Sequence, residues 1–180
     1  MKCLSFCLSV ISFIILLSCQ NAKAPVKKGD KPIYRPEDQQ APNYKVEPPT
    51  GWEIYDTVIE DQKCRYILPP ASLDYEKPII TIVAAAMHGR QIDDYMTRNM
   101  DELKATMEGV TLLEKDTINI SSFSARWFTY TLEDNGDARE MIVYTIPVRG
   151  FAYVISCGTN KGIMKKYRSQ FDQVARSFSL

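Results

Sequence analysis

The chain has 180 residues, with 22 Lys+Arg against 22 Asp+Glu, so its formal net charge is zero. That balance excludes a polybasic footprint for nucleic acid and an acidic tail. Hydrophobic residues make up 45% and charged residues 24%, which excludes wholesale disorder and fits one ordinary domain with extensions.

Met1-Lys2 is a short positive start, and Leu4 to Leu17 is an apolar run broken only by Ser and Cys7. A bilayer core about 30 Å thick needs about 20 apolar residues, so this run is too short to span. A positive start, a short apolar run and then small residues describe a secretory signal peptide. Leu16-Leu17-Ser18-Cys19, where the run ends, resembles the lipobox of bacterial lipoproteins. The resemblance implies a signal peptide over 1–18, cleavage after Ser18 and a lipidated Cys19. The plainer alternative is an ordinary signal peptide with a chance Cys. Residue 20 is Gln rather than Asp, which in diderm bacteria resembles the sorting pattern for the outer membrane. The expected location is therefore the cell envelope, with the chain held on a membrane by its N-terminal lipid.

Once Cys3 and Cys7 leave with the signal and Cys19 carries lipid, Cys64 and Cys157 remain. An oxidising compartment would allow them to form a disulfide. Bridging requires Cα atoms within about 7 Å, and the sequence alone does not place the two strands side by side. Two cysteines without Cys-x-x-Cys spacing and a single His make no structural zinc site, so no metal and no cofactor is expected.

Residues 19–49 are expected to form a disordered tether. The stretch holds six of the ten prolines (Pro25, Pro32, Pro36, Pro42, Pro48 and Pro49), few large apolar residues and no periodicity. Lys23, Lys27, Lys28 and Lys31 lie near the anchor, either as a solvated linker or in contact with anionic headgroups.

Residues 50–180 are expected to form one α+β domain. Strands are predicted from Trp52 to Val58, from Cys64 to Leu68 before Pro69-Pro70, and from Ile79 to Ala86, the last buried on both faces. Ile92, Tyr95, Met96, Met100, Leu103 and Met107 recur at helical spacing over Gln91–Glu108, and Gly109 stops that helix. Its Met stripe is core packing rather than a metal or haem site. Strands resume over 111–120, 125–133, 139–148 and 151–157. Asn135-Gly136 and Arg149-Gly150 mark tight hairpins between the last three. Asn160 is placed to cap a final helix with Met164, Tyr167, Phe171, Val174 and Phe178 on one face.

The two tight turns predict a register. Tyr130 should pair with Met141, Phe128 with Val143, Tyr144 with Ile155 and Ile142 with Cys157. Trp127, Ile142, Tyr144, Tyr153, Ile155 and Cys157 then share one face of the sheet, and Phe128, Tyr130, Met141, Val143 and Val154 the other. Both faces need cover, and the two helices can supply one each. Pro147 predicts an interrupted or locally unpaired strand end.

Pro49-Thr50-Gly51-Trp52 before the first strand, a long helix ending at Glu108-Gly109, the strand Phe151-Ala152-Tyr153-Val154-Ile155 and a final helix closing in Ser177-Phe178 resemble the PsbP-like superfamily. The resemblance is to its bacterial lipoproteins and DcrB-like members, over about residues 49–180. It implies an antiparallel sheet sandwiched by helices, an α/β/α arrangement. It carries no functional residues, because the matched positions are structural.

Chemistry is sparse. His88, the only histidine, sits in Met87-His88-Gly89-Arg90 between strand and helix, where binding residues often lie. His88 and Arg90 are candidate binding residues, against a plain exposed loop. Arg126 lies on a strand among aromatics and is a third candidate for a ligand carboxylate, against a paired or snorkelling side chain. No Gly-x-Ser-x-Gly, His-Glu-x-x-His or phosphate-cradling loop occurs, and no catalytic residue is assigned. The expected function is a non-catalytic, membrane-anchored envelope lipoprotein that binds another envelope protein or a cell-wall component, and not nucleic acid. The alternatives are a small-ligand or metal carrier with a pocket between sheet and helix, and a hydrolase with an unrecognised site.

Overall fold

A computed structural model describes residues 41–180 apart from 60, 74 and 135. The signal, lipidation and lysine expectations over 1–40 lie outside the described residues. A hairpin comes first, β1 (Glu53–Ile59) and β2 (Gln62–Leu68), then a short 3-10 turn at Ala71–Leu73 and β3 (Ile79–Ala86). Helix α1 (Ile92–Thr106) follows. A four-strand meander comes next, β4 (Thr111–Ile120), β5 (Phe123–Asp134), β6 (Asp137–Val148) and β7 (Phe151–Asn160), and helix α2 (Met164–Arg176) closes the chain. The seven strands form one sheet in the order β1-β2-β3-β7-β6-β5-β4, antiparallel throughout. This is the α+β architecture expected.

The register is the one the turns dictate. Tyr130 pairs with Met141 and Phe128 with Val143, while Tyr144 pairs with Ile155 and Ile142 with Cys157. Arg149 (φ 48) and Gly150 (φ 85) both sit in the left-handed region, as a two-residue hairpin loop requires. Asp134 and Asp137 face each other across the other tight turn, where Gly136 has φ 85 and residue 135 is not described.

Side-chain alternation then divides the core into two layers. Ile142, Tyr144, Tyr153, Ile155 and Cys157 form one with Tyr167, Phe171, Val174 and Phe178 from the α2 end, and Trp127 packs against it half-buried. Phe128, Tyr130, Met141, Val143 and Val154 form the other with Tyr95, Met96, Met100 and Leu103 of α1. Each helix covers one face, as the two-faced strands require. Gly158 lies opposite Met141, and a Cβ there would stand 2.5 Å from the Met141 sulfur, so a larger residue would push the end of that side chain aside.

Three expectations are corrected. The domain begins at or before residue 41, not at 50. Tyr44 stacks on Phe178 at 5.7 Å and meets Tyr153 edge-on at 5.3 Å, Lys45 bridges Ser179, and the Tyr153 hydroxyl donates to the Pro42 carbonyl. Proline content concealed this strap because its buried surface comes from a few aromatic and aliphatic contacts. Asn160 is not a helix cap. It ends β7, and α2 starts at Met164 after Ile163, which makes no side-chain cap bond. At Pro147 one of the two alternatives holds: β6 is not interrupted and runs on to Val148 with Pro147 opposite Ala152, but it is locally unpaired on its β5 side. Pairing of β6 with β5 has already ended at Arg126–Thr145, and alternation from the Val148–Phe151 hairpin pair points the Pro147 nitrogen to that unpaired side.

Finally, Cys64 and Cys157 are free thiols. Cys64 on β2 belongs to the α1-side layer and Cys157 on β7 to the α2-side layer, with β3 between the two strands. Two strand spacings amount to about 9.5 Å, beyond disulfide reach, and the side chains point to opposite faces.

Candidate functional site

At one end of the sheet the β3–α1 connection forms a tight turn. The Arg90 N–H donates to the Met87 carbonyl at 3.0 Å, with His88 (φ 52) and Gly89 (φ 74) at the two central positions. The Met87 N–H donates to the Gly150 carbonyl at 2.8 Å, which ties this turn to the β6–β7 turn beside it. His88 and Arg90 are half-buried and Gly89 is exposed. Arg126 on β5 faces the first turn of α1. Its Nε and Nη2 donate to the two Asp93 oxygens at 2.7 and 3.2 Å, and Nη1 donates to Ser124 Oγ at 3.1 Å. Arg126 holds the Asp93 carboxyl below the ordinary range. Arg126 thus takes the paired alternative weighed for it, and the pair fastens α1 to the sheet.

The opposite end carries a polar cluster that sequence reasoning missed. Glu76, in the β2–β3 connection, is only 5% exposed. Lys166 Nζ lies 2.7 Å from both carboxylate oxygens, and the Tyr75 hydroxyl donates at 2.6 Å with the Tyr167 hydroxyl as a further donor. Lys166, then Tyr167 and Tyr75, bring the Glu76 pKa down to about 2. Burial first, and Glu76 second, push the Tyr167 hydroxyl up to about 12. Beside this, Arg139 donates to Asn160 Oδ1 at 2.8 Å and to the Lys77 carbonyl at 3.1 Å, and Asn160 Nδ2 donates to the Tyr75 carbonyl at 2.8 Å. These bonds fasten the connection to β7 and α2. A carboxyl ionised down to about pH 2 and a phenol protonated up to about pH 12 exchange no protons near neutrality, so the cluster suits a staple better than acid–base work. The sequence gives no hint of it, because Glu76 meets Lys166 and Tyr167 about ninety positions away.

Both thiols are equally quiet. Burial pushes Cys64 up to about 11 and Cys157 well above the ordinary thiol range. Under α2, the buried Tyr144 hydroxyl donates to Asp172, and Arg168 lies 3.2 Å from that carboxylate and 4.6 Å over the Trp127 ring. A shallow depression on the outer side of α1 is lined by Asp94, Thr97, Arg98, Asp101 and Glu102; it lies outside the helix, not between helix and sheet. Among the described residues, no three His, Cys, Asp or Glu side chains gather as a metal site.

The remaining surface feature is β1. It is the outermost strand, exposed along Glu53–Val58 and half-buried at Ile59. Ile54, Tyr55 and Val58 are 41%, 48% and 61% exposed. The other edge, β4, is blunted by a bulge between Leu112 and Glu114 and by Glu114, Lys115 and Asp116. β1 keeps an unbroken register over all its residues and has no Lys or Pro.

Comparison with solved structures places this architecture. LpqN of Mycobacterium tuberculosis superimposes with TM-score 0.61 at 14% identity, over 77% of this chain and 83% of that one. The PsbP protein of the cyanobacterium Synechocystis sp. PCC 6803 does so with TM-score 0.55 at 14% identity, over 76% and 86%. The fold is PsbP-like. A Pseudomonas aeruginosa protein of unknown function, PA94, is similar with TM-score 0.52 at 15% identity, over 69% of this chain and 94% of its own. No protein-family profile and no characterised protein sequence matches the chain. Trp52, Tyr153 and Phe178, from the segments that carry the sequence resemblance, all enter one core layer.

Proposed function

We propose that this protein is a cell-envelope lipoprotein, anchored through lipid on Cys19, whose PsbP-like domain is a non-catalytic binding module. The observation that carries the binding reading is how the domain spends its polar groups. Arg126 is taken by Asp93, Glu76 by Lys166, Tyr75 and Tyr167, and Asp172 by Tyr144 and Arg168. These contacts support the fold and offer no nucleophile–base–orienter arrangement. The edge strand β1, by contrast, pairs on one side only among the described residues and leaves Ile54, Tyr55 and Val58 exposed. Lipobox-like Leu16-Leu17-Ser18-Cys19 supports the anchor, and Gln20 supports the outer membrane. LpqN, similar in fold, is described as involved in cell-envelope biogenesis, which accords with an envelope role. The partner class is another envelope protein or a cell-wall component. Fractionation tests the anchor: Cys19→Ala should move the protein from the membrane pellet to the soluble fraction, and retention in the pellet would overturn the reading.

A further inference from the structure

We propose that β1 is a self-pairing edge, through which two copies of this chain join antiparallel into one continuous sheet. The residues flanking the first tight turn, Ile59 and Gln62, are paired, so Ile59, Thr57, Tyr55 and Glu53 direct their backbone groups to β2. Alternation leaves the N–H and C=O groups of Ile54, Asp56 and Val58 pointing out from the sheet. A two-fold axis through Asp56 sets these three residues against Val58, Asp56 and Ile54 of the second copy, each as a hydrogen-bonded pair. The exposed Ile54 and Val58 then cover one another on the α2 side, and Tyr55 meets Thr57 on the α1 side.

The charges suit a second copy. Asp56 would face its own counterpart, but within each copy Arg65 donates to both Asp56 oxygens at 2.6 and 2.8 Å. The row across the axis therefore reads Arg65, Asp56, Asp56, Arg65 and is neutral.

The chain path points the same way. The axis of an antiparallel pair stands perpendicular to the sheet, so the α2-side faces of both copies are continuous. The strap at 41–49 packs on that side through Tyr44 and Val46, so both chains enter the domain from one side of the joined sheet. If the lipoprotein reading holds, two anchors then reach one membrane.

The test is oxidative crosslinking of the full chain in membranes, and in the Cys19→Ala background as well. Across the axis the Asp56 Cα atoms are about 5.5 Å apart, within disulfide range. Asp56→Cys should give a covalent dimer in both backgrounds, while Leu113→Cys on the β4 edge should not. Adding Val58→Pro removes an outward N–H without touching the β1–β2 ladder and should lower the crosslinked fraction by about ten-fold or more. Val58→Lys should do the same with the backbone unchanged, which covers a folding failure of the proline variant. No Asp56→Cys dimer in either background, or a dimer indifferent to Val58→Lys, would overturn the pairing. Failure of the anchor would instead show as membrane retention of Cys19→Ala.

Discussion

At the scale of single residues, the left-handed positions give the sharpest expectations. Arg149 has φ 48 and is exposed, where Asn is better tolerated than a long side chain. Arg149→Asn should raise stability by about 0.5 kcal/mol in urea unfolding, with an unchanged m-value; a loss would show that Arg149 makes a contact outweighing its backbone strain. Glu76 gives a pH expectation. Its pKa falls from 4.5 unfolded to about 2 folded, so its contribution to stability is full above pH 4.5 and is lost as pH falls toward 2. Glu76→Gln should be less stable than the native chain at neutral pH and should flatten the stability–pH curve in that window. Parallel curves would mean the Lys166 and Tyr167 bonds contribute nothing. His88 and Arg90 remain binding candidates: His88→Ala should weaken partner binding, and unchanged binding would remove this turn from the binding surface.

At the scale of elements, the strap over 41–49 is a working part of the fold. Tyr44 and Phe178 are the ring contacts that close the α2-side layer, and Phe178 is fully buried. Phe178→Ala should cost about 3–5 kcal/mol, and Tyr44→Ala about 2 kcal/mol, both read from denaturant midpoints. A Tyr44→Ala variant as stable as the native chain would restore the boundary at 50. The strands and helices were largely legible because local signals agree with the fold. Gly136, Arg149-Gly150 and the Trp127–Phe128 alternation determine register, and Met96, Met100 and Leu103 determine the face of α1. The strap, the Glu76 cluster and the isolation of Cys64 from Cys157 were not legible. Each depends on pairings distant in sequence, such as Tyr44 with Tyr153, Glu76 with Lys166, and β3 between β2 and β7. The partner of Arg126 was hidden for the same reason, since Asp93 reaches it from another element.

At the scale of the whole molecule, a neutral chain has unequal faces. From Gln91 to Gly109 the acidic residues are Asp93, Asp94, Asp101, Glu102 and Glu108, against Arg98 and Lys104. From Lys161 to Leu180 the side chains are Lys161, Lys165, Lys166, Arg168 and Arg176, against Asp172 alone. The basic helix lies on the side where the strap enters, so a domain anchored there would present its less acidic side to an anionic membrane. The anchor itself is the central claim, and intact-mass measurement of the membrane-extracted protein tests it most directly. The expected species is a chain beginning at Cys19 and carrying two or three acyl chains; a chain with an unmodified Cys19 would contradict the anchor.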